Sequence, residues 1–176
     1  ASLKFGSSTI VVAIEAIKES DGSYLAYTDN AREYTGVNAI EWAKRVEELG
    51  AGEIVLTSVD QEGTGGGFDL ELTQAISTAV SIPVIAHGGA GSKEDIAKVI
   101  KEGKADAVTF ASVLHYDYIE KREATFETTS EGNTEFLKSG KRFSNIKTAS
   151  LGEVKAYLQS EGISCRQVSP AKSTSI

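Results

Sequence analysis

Cysteine is nearly absent from this chain of 176 residues: Cys165 stands alone near the end, which excludes an internal disulfide and reads as a small, half-buried structural residue. Histidine is scarce too. His87 and His115 have neither nearby cysteines nor regularly spaced carboxylates, so no metal site and no cofactor are expected. Only 18 residues are basic, against 25 acidic, and a net charge of -7 argues against a nucleic-acid backbone as the main partner. No apolar run approaches the roughly 18 residues of a membrane span. The first residues also lack a basic n-region and a cleavage pattern, so a soluble cytoplasmic protein without a membrane partner is the expectation. There is no methionine, and Ala1 reads either as the residue left by initiator removal or as the cut end of a fragment. Length is limiting as well. The 40% hydrophobic content suffices for one domain with a core, but the chain is too short for a complete eight-stranded barrel of about 250 residues.

Four short aliphatic runs, at 9 to 14, 54 to 56, 83 to 86 and 107 to 110, lack the polar alternation of a half-wet sheet and predict parallel strands buried on both faces. Helices with marked ends fall between and after them. Asn38 with Glu41, Ser92 with Asp95, and Ser150 with Glu153 have N-cap spacing, and Gly50, Gly103 and Gly162 close the same helices. Ile96, Val99 and Ile100, and later Val154, Tyr157 and Leu158, give two of these helices one apolar face each. A further helix is predicted over about 69 to 80 through Leu72, Ile76, Ala79 and Val80. The whole is a strand, loop, helix alternation of β/α units. Two regions interrupt it. From 19 to 36, the turn signal Asp21-Gly22 followed by a strand-like run predicts an inserted hairpin. From about 117 to 147 a polar insertion reads as an ordered lid or a loose surface excursion, and 169 to 176 as a flexible tail after a domain of residues 1 to 168.

Loops rich in glycine or hydroxyl groups follow three of the four strands: 58 to 67, then His87-Gly88-Gly89-Ala90-Gly91, then Ala111-Ser112. In a β/α barrel such loops gather on one face. Backbone amides exposed by glycine, joined to the N-terminus of a helix beginning near Ser112, can hold a dianionic phosphate without a lysine. A phosphorylated small molecule is therefore expected, whereas any one of these loops alone would read as a tight turn. Glu15 closes the first run and Asp60 follows the second, positions from which a carboxylate can act as general acid or base. For Glu15, simple solvation or a salt bridge is an equal reading; for Asp60, the other reading is that it fixes the Gly-rich loop through backbone donors. His87 with one neighbouring hydroxyl does not make a triad.

Taken in order, Phe5-Gly6-Ser7, Val11-Val12-Ala13-Ile14, Gly50-Ala51-Gly52-Glu53-Ile54, Leu56-Thr57-Ser58, Asp60 with Gly63-Thr64, Gly67-Phe68-Asp69, Gly88-Gly89-Ala90-Gly91, and Ala111-Ser112-Val113 with His115 resemble one family. It is the cyclase subunit of imidazole glycerol phosphate synthase, and the match is to the C-terminal half of its (β/α)8 TIM barrel. The fold class implied is α/β, four parallel β/α units with a hairpin inserted after the first strand. The resemblance implies a lyase of histidine biosynthesis. It would combine ammonia with a phosphoribulosyl-formimino aminoimidazole carboxamide ribonucleotide, giving imidazole glycerol phosphate and aminoimidazole carboxamide ribotide. It further implies that Thr57, Asp60, Gly63, Gly88, Gly89, Ala111 and Ser112 bind the phosphorylated substrate, and that Glu53 belongs to a charged gate. Ammonia would reach that gate from a glutaminase subunit docked at the opposite face.

Two positions depart from the family pattern. Glu15 stands where the family carries a catalytic Asp, moving the carboxylate by about 1 Å, a displacement that can cost on the order of a hundredfold in rate. His87 stands where the family usually has a small residue. Because the family takes one catalytic Asp from each barrel half, this chain is expected to be inactive alone and to need either the missing N-terminal half-barrel or self-association. Two further readings stand beside this one: a related cyclase-like subunit that serves amidation of nucleotide-sugar precursors, and a non-catalytic phosphate-binding half-barrel.

Overall fold

The spacing of apolar residues decides which side of each strand is covered. The computed structural model describes residues 1–121 and 145–166; most of the expected insertion and the expected tail lie outside the described residues. In chain order the elements are α1 (Ser2–Phe5), a 3-10 turn (Ser7–Thr9), β1 (Val11–Lys18), β2 (Tyr24–Thr28), β3 (Glu33–Asn38), α2 (Ala39–Glu48), β4 (Glu53–Ser58), α3 (Leu70–Ala79), β5 (Val84–His87), α4 (Lys93–Lys101), β6 (Ala107–Val108), α5 (Ser112–Lys121) and α6 (Leu151–Ser160). The sheet order is β3-β2-β1-β4-β5-β6, with β1, β4, β5 and β6 parallel and the hairpin strands antiparallel.

On one face of this sheet Ile14 and Ala16 of β1, Ile54 and Leu56 of β4, and Val84 and Ala86 of β5 are buried. They pack with Ala43 and Val46 of α2, Leu72 and Ile76 of α3, Ile96 and Val99 of α4, and Val154 and Leu158 of α6 in two contiguous apolar clusters. The opposite face carries the alternate residues, and Val11, Ala13 and Ala107 on it are exposed. The expectation of strands buried on both faces is thus corrected: helices cover one face only, and the described residues contain no second layer over the other.

The helix starts follow their caps. Asn38 accepts from the amides of Ile40 and Glu41, Ser92 from Asp95, and Ser150 and Glu153 form a reciprocal capping box; Asp69 caps α3 through the Leu72 amide. Several boundaries differ from expectation. Residues 7 to 9 form the 3-10 turn, closed by the Ile10 amide donating to the Ser7 carbonyl, with the single Thr9 hydroxyl proton shared between the carbonyls of Gly6 and Phe5. β1 does not end at Glu15 but runs on to Lys18, because β2 pairs with its second half from Glu15 to Lys18. β6 is only two residues long, although the Thr109 amide still donates to the Ala86 carbonyl. The polar insertion cannot begin at residue 117: Asp117 is buried within α5 and pairs with Lys121 at 2.8 Å, four residues on.

Candidate functional site

Parallel register places Glu15, Thr57 and His87 side by side at one level of the sheet, on the face without helices. The loops that follow β4 and β5 begin immediately above this row. These two loops are laced together by the Gly67 amide, which donates to the Gly89 carbonyl at 2.8 Å, and the segment before α6 joins them where the Lys147 amide donates to the Gly91 carbonyl at 2.7 Å. The approach is too close for side chains. A Cβ at Gly89, where φ is 104°, would lie 2.1 Å from the Gly67 carbonyl oxygen, and one at Gly91 would lie 2.0 Å from that of Gly65. Glycine is required here by contact between two backbones.

The result is a cleft of about 180 Å³ lined by Gly63, Gly65, Gly88, Gly89, Ala111 and Ser112, with Glu62 and His87 at its side. The first turn of α5 opens at Ser112, where helix geometry leaves the leading amides without intrahelical acceptors and concentrates positive partial charge. Beside it lies a second cleft of about 230 Å³, lined by Glu15, Asn30, Ala31, Thr57 and Val59, again with Glu62 and His87. Neither alone reaches the roughly 300 Å³ usual for a small-molecule site, but the two adjoin, with Glu62 and His87 lining both.

Within the second cleft, Glu15 Oε2 accepts from the Ala31 amide at 2.8 Å, and Thr57 Oγ1 lies 3.1 Å from His87 Nδ1. The hairpin is anchored at its other end. The Tyr24 hydroxyl reaches Asp69 Oδ1 at 3.1 Å, and burial, followed by the charge of Asp69, pushes that phenol up to about 12. Lys18 pairs with Glu71 at 2.6 Å, which lowers the carboxyl of Glu71 and raises the ammonium of Lys18.

Of the residues singled out in the sequence, Gly63, Gly88, Gly89, Ala111 and Ser112 line the first cleft, and Glu15 and Thr57 the second. Asp60 lines neither. It is exposed and its Oδ2 accepts from the Lys18 amide at 2.8 Å, so it fastens the end of β1 and not the Gly-rich loop. Glu53 starts β4, level with Val11, at the far end of the sheet from both clefts. Three contributions were missed. Glu62 lies between Asp60 and Gly63, and its place in the same loop was the available signal. Asn30 and Ala31 reach the site through the hairpin, and Ile146 packs on Gly65 from a segment expected to belong to the insertion. No local sequence signal marks these last three.

Residues 1–120 match the family model described as histidine biosynthesis protein. The chain is 52% identical over 116 residues to the imidazole glycerol phosphate synthase subunit HisF of Alkaliphilus metalliredigens (strain QYMF), a match covering 66% of this chain and 46% of that one. It is 53% identical over 116 residues to the protein of the same name from Prochlorococcus marinus (strain MIT 9215), covering 65% and 45%. The matched segment therefore spans a little under half the length of these curated relatives. With a family model matched across more than half of its residues, on a mainly parallel α/β sheet, the chain belongs to the histidine biosynthesis protein family.

Proposed function

We propose that this chain forms one half of a phosphate-binding (β/α)8 barrel whose full assembly is the cyclase of imidazole glycerol phosphate synthesis. The observation that carries this reading is the convergence of loops from three adjacent parallel strands. Their glycines and the start of α5 make an anion cleft, one strand position from a carboxylate. In this reading Gly63, Gly88, Gly89, Ala111 and Ser112 hold one phosphate of the substrate through backbone amides. Glu15, level with Thr57, moves protons at the reacting end. Glu53, at the opposite end of the sheet, belongs to the face through which a glutaminase partner delivers ammonia. The other barrel half covers the open sheet face and supplies the second carboxylate.

The test is growth. A cyclase-deficient strain carrying the gene for this chain with its flanking coding sequence is expected to grow without histidine, and to lose that growth on Glu15→Ala substitution. No growth despite soluble, phosphate-binding protein overturns the histidine reading. The second reading, a related cyclase-like subunit acting on a nucleotide-sugar precursor with the same ammonia chemistry, is favoured by His87 and Glu15, the two departures that meet in one cleft.

A further inference from the structure

His87 has no part in the reaction outlined above, yet it stands where the two clefts meet: it and Glu62 line both. It is the last residue of β5, on the open face, directly beside Thr57 in the register. Thr57 is 8% exposed, and its hydroxyl carries a single proton. Among the described residues, the hydrogen-bond partner found for that hydroxyl is His87 Nδ1, at 3.1 Å. A buried hydroxyl proton without an acceptor costs its full desolvation, so the favoured arrangement has Thr57 donating and Nδ1 accepting. In a neutral imidazole the ring proton then sits on Nε2, and the other nitrogen fixes the ring's orientation.

A ligand with its phosphate among the glycines and its body directed toward Glu15 runs past His87 and Glu62, which line both clefts. One offers an N–H donor and the other a carboxylate acceptor. A hydroxyl can satisfy both, since it accepts and donates. The geometry points to His87 as a specificity-determining residue, whose Nε2–H, oriented by Thr57, donates to a hydroxyl oxygen on the body of a sugar-phosphate-like ligand. This rests on the phosphate reading of the glycine cleft.

With only two histidines in the chain, nitrogen NMR of 15N-histidine-labelled protein at pH 8 resolves the matter, and His115→Gln assigns the signals. His87 is expected in the Nε2–H form, and Thr57→Val to erode that preference. In uniformly 15N-labelled protein, inorganic phosphate and ribose 5-phosphate should both shift the Gly89 and Ser112 amides, but only ribose 5-phosphate should shift His87 Nε2. His87→Asn keeps a polar atom for Thr57 but lacks the far nitrogen. It should reduce the preference for ribose 5-phosphate over phosphate by about three- to tenfold, the worth of one hydrogen bond. His87→Gln, which reaches as far as Nε2, should restore most of it. An Nδ1–H form, or an unchanged preference in His87→Asn, overturns the inference while leaving the phosphate cleft standing. Glycine-cleft amides that respond to neither ligand overturn both.

Discussion

The carboxylate of Glu15 and the amide of Ala31, sixteen residues apart, meet at 2.8 Å and tie the middle of β1 to the tip of the hairpin it precedes. Ala31 ends a run of three consecutive left-handed residues, with φ of 56° at Asp29, 55° at Asn30 and 60° at Ala31. Such backbone costs roughly 1 to 2 kcal/mol per residue outside glycine, less for Asn and Asp, so the turn needs outside support. Glu15 supplies it. The longer side chain at this position therefore does two things: it faces the cleft, and it holds part of the cleft's wall.

Shortening that side chain should separate the two roles. Glu15→Asp is expected to lose the Ala31 bond, lowering stability by about 1 kcal/mol and speeding exchange of the Ala31 amide. Glu15→Gln retains the reach, so Ala31 stays protected. On the proposed cyclase reading, with Glu15 as proton acceptor in a full barrel, the same substitution reduces turnover by about 10²- to 10⁴-fold. Hydrogen exchange on both variants provides the check, and equal Ala31 protection in all three proteins would contradict the assignment.

The two loop glycines should respond differently to a methyl group. Gly89→Ala places Cβ against the Gly67 carbonyl, and with φ at 104° it also strains the backbone. A loss of about 2 to 3 kcal/mol and at least tenfold weaker phosphate binding are expected. Gly63, with φ at 76°, has nothing within 4 Å of the position a Cβ would take, so Gly63→Ala carries backbone strain alone, about 1 kcal/mol. Thermal melts with and without phosphate compare the pair.

Alkali should weaken the hairpin anchor. The Tyr24 phenol is held at about 12, above its ordinary value of 10.0, so its neutral form is the one that the fold favours. The stabilisation is fully present below pH 10 and is lost as pH rises from there toward 12. Tyr24→Phe should melt lower at pH 7, and its stability should fall less steeply across that window. Absorbance titration of the phenols, followed with unfolding, measures both.

Acid should act at the other end of the chain. Hydrogen bonds from the Ser150 hydroxyl and amide, with Lys121 nearby, hold the Glu153 carboxyl at about 2, below its ordinary 4.5. The contribution to α6 is present above pH 4.5 and fades as pH falls toward 2. Glu153→Gln should remove this acid-dependent step in α6 helicity, read by amide exchange along 151 to 160. An unaltered acid profile would show that the capping box is not what titrates.

Most of the architecture was legible because its signals are local. Asn38, Ser92 and Ser150 marked helix starts through chemistry confined to three or four residues, and Gly89 and Gly91 marked loops whose backbones touch. What was not legible depended on distant partners. The length of β1 is set by β2, the true partner of Asp60 is the Lys18 amide, and Asn30, Ala31 and Ile146 join the site through segments whose position no neighbouring residue encodes. The reading of strands covered on both faces failed for a similar reason. An apolar run records what a strand prefers, and the described residues contain no layer that covers the second face.

The partial pairing of the hairpin with β1 also limits how another strand could dock. Because β2 occupies only Glu15 to Lys18, the outer hydrogen-bonding edge of β1 is left for at most the four residues from 11 to 14. A strand added alongside would run into the hairpin after Ile14 and could slide no further. The hairpin thus works as a mechanical stop, making a single alignment the natural one on an edge that would otherwise tolerate several.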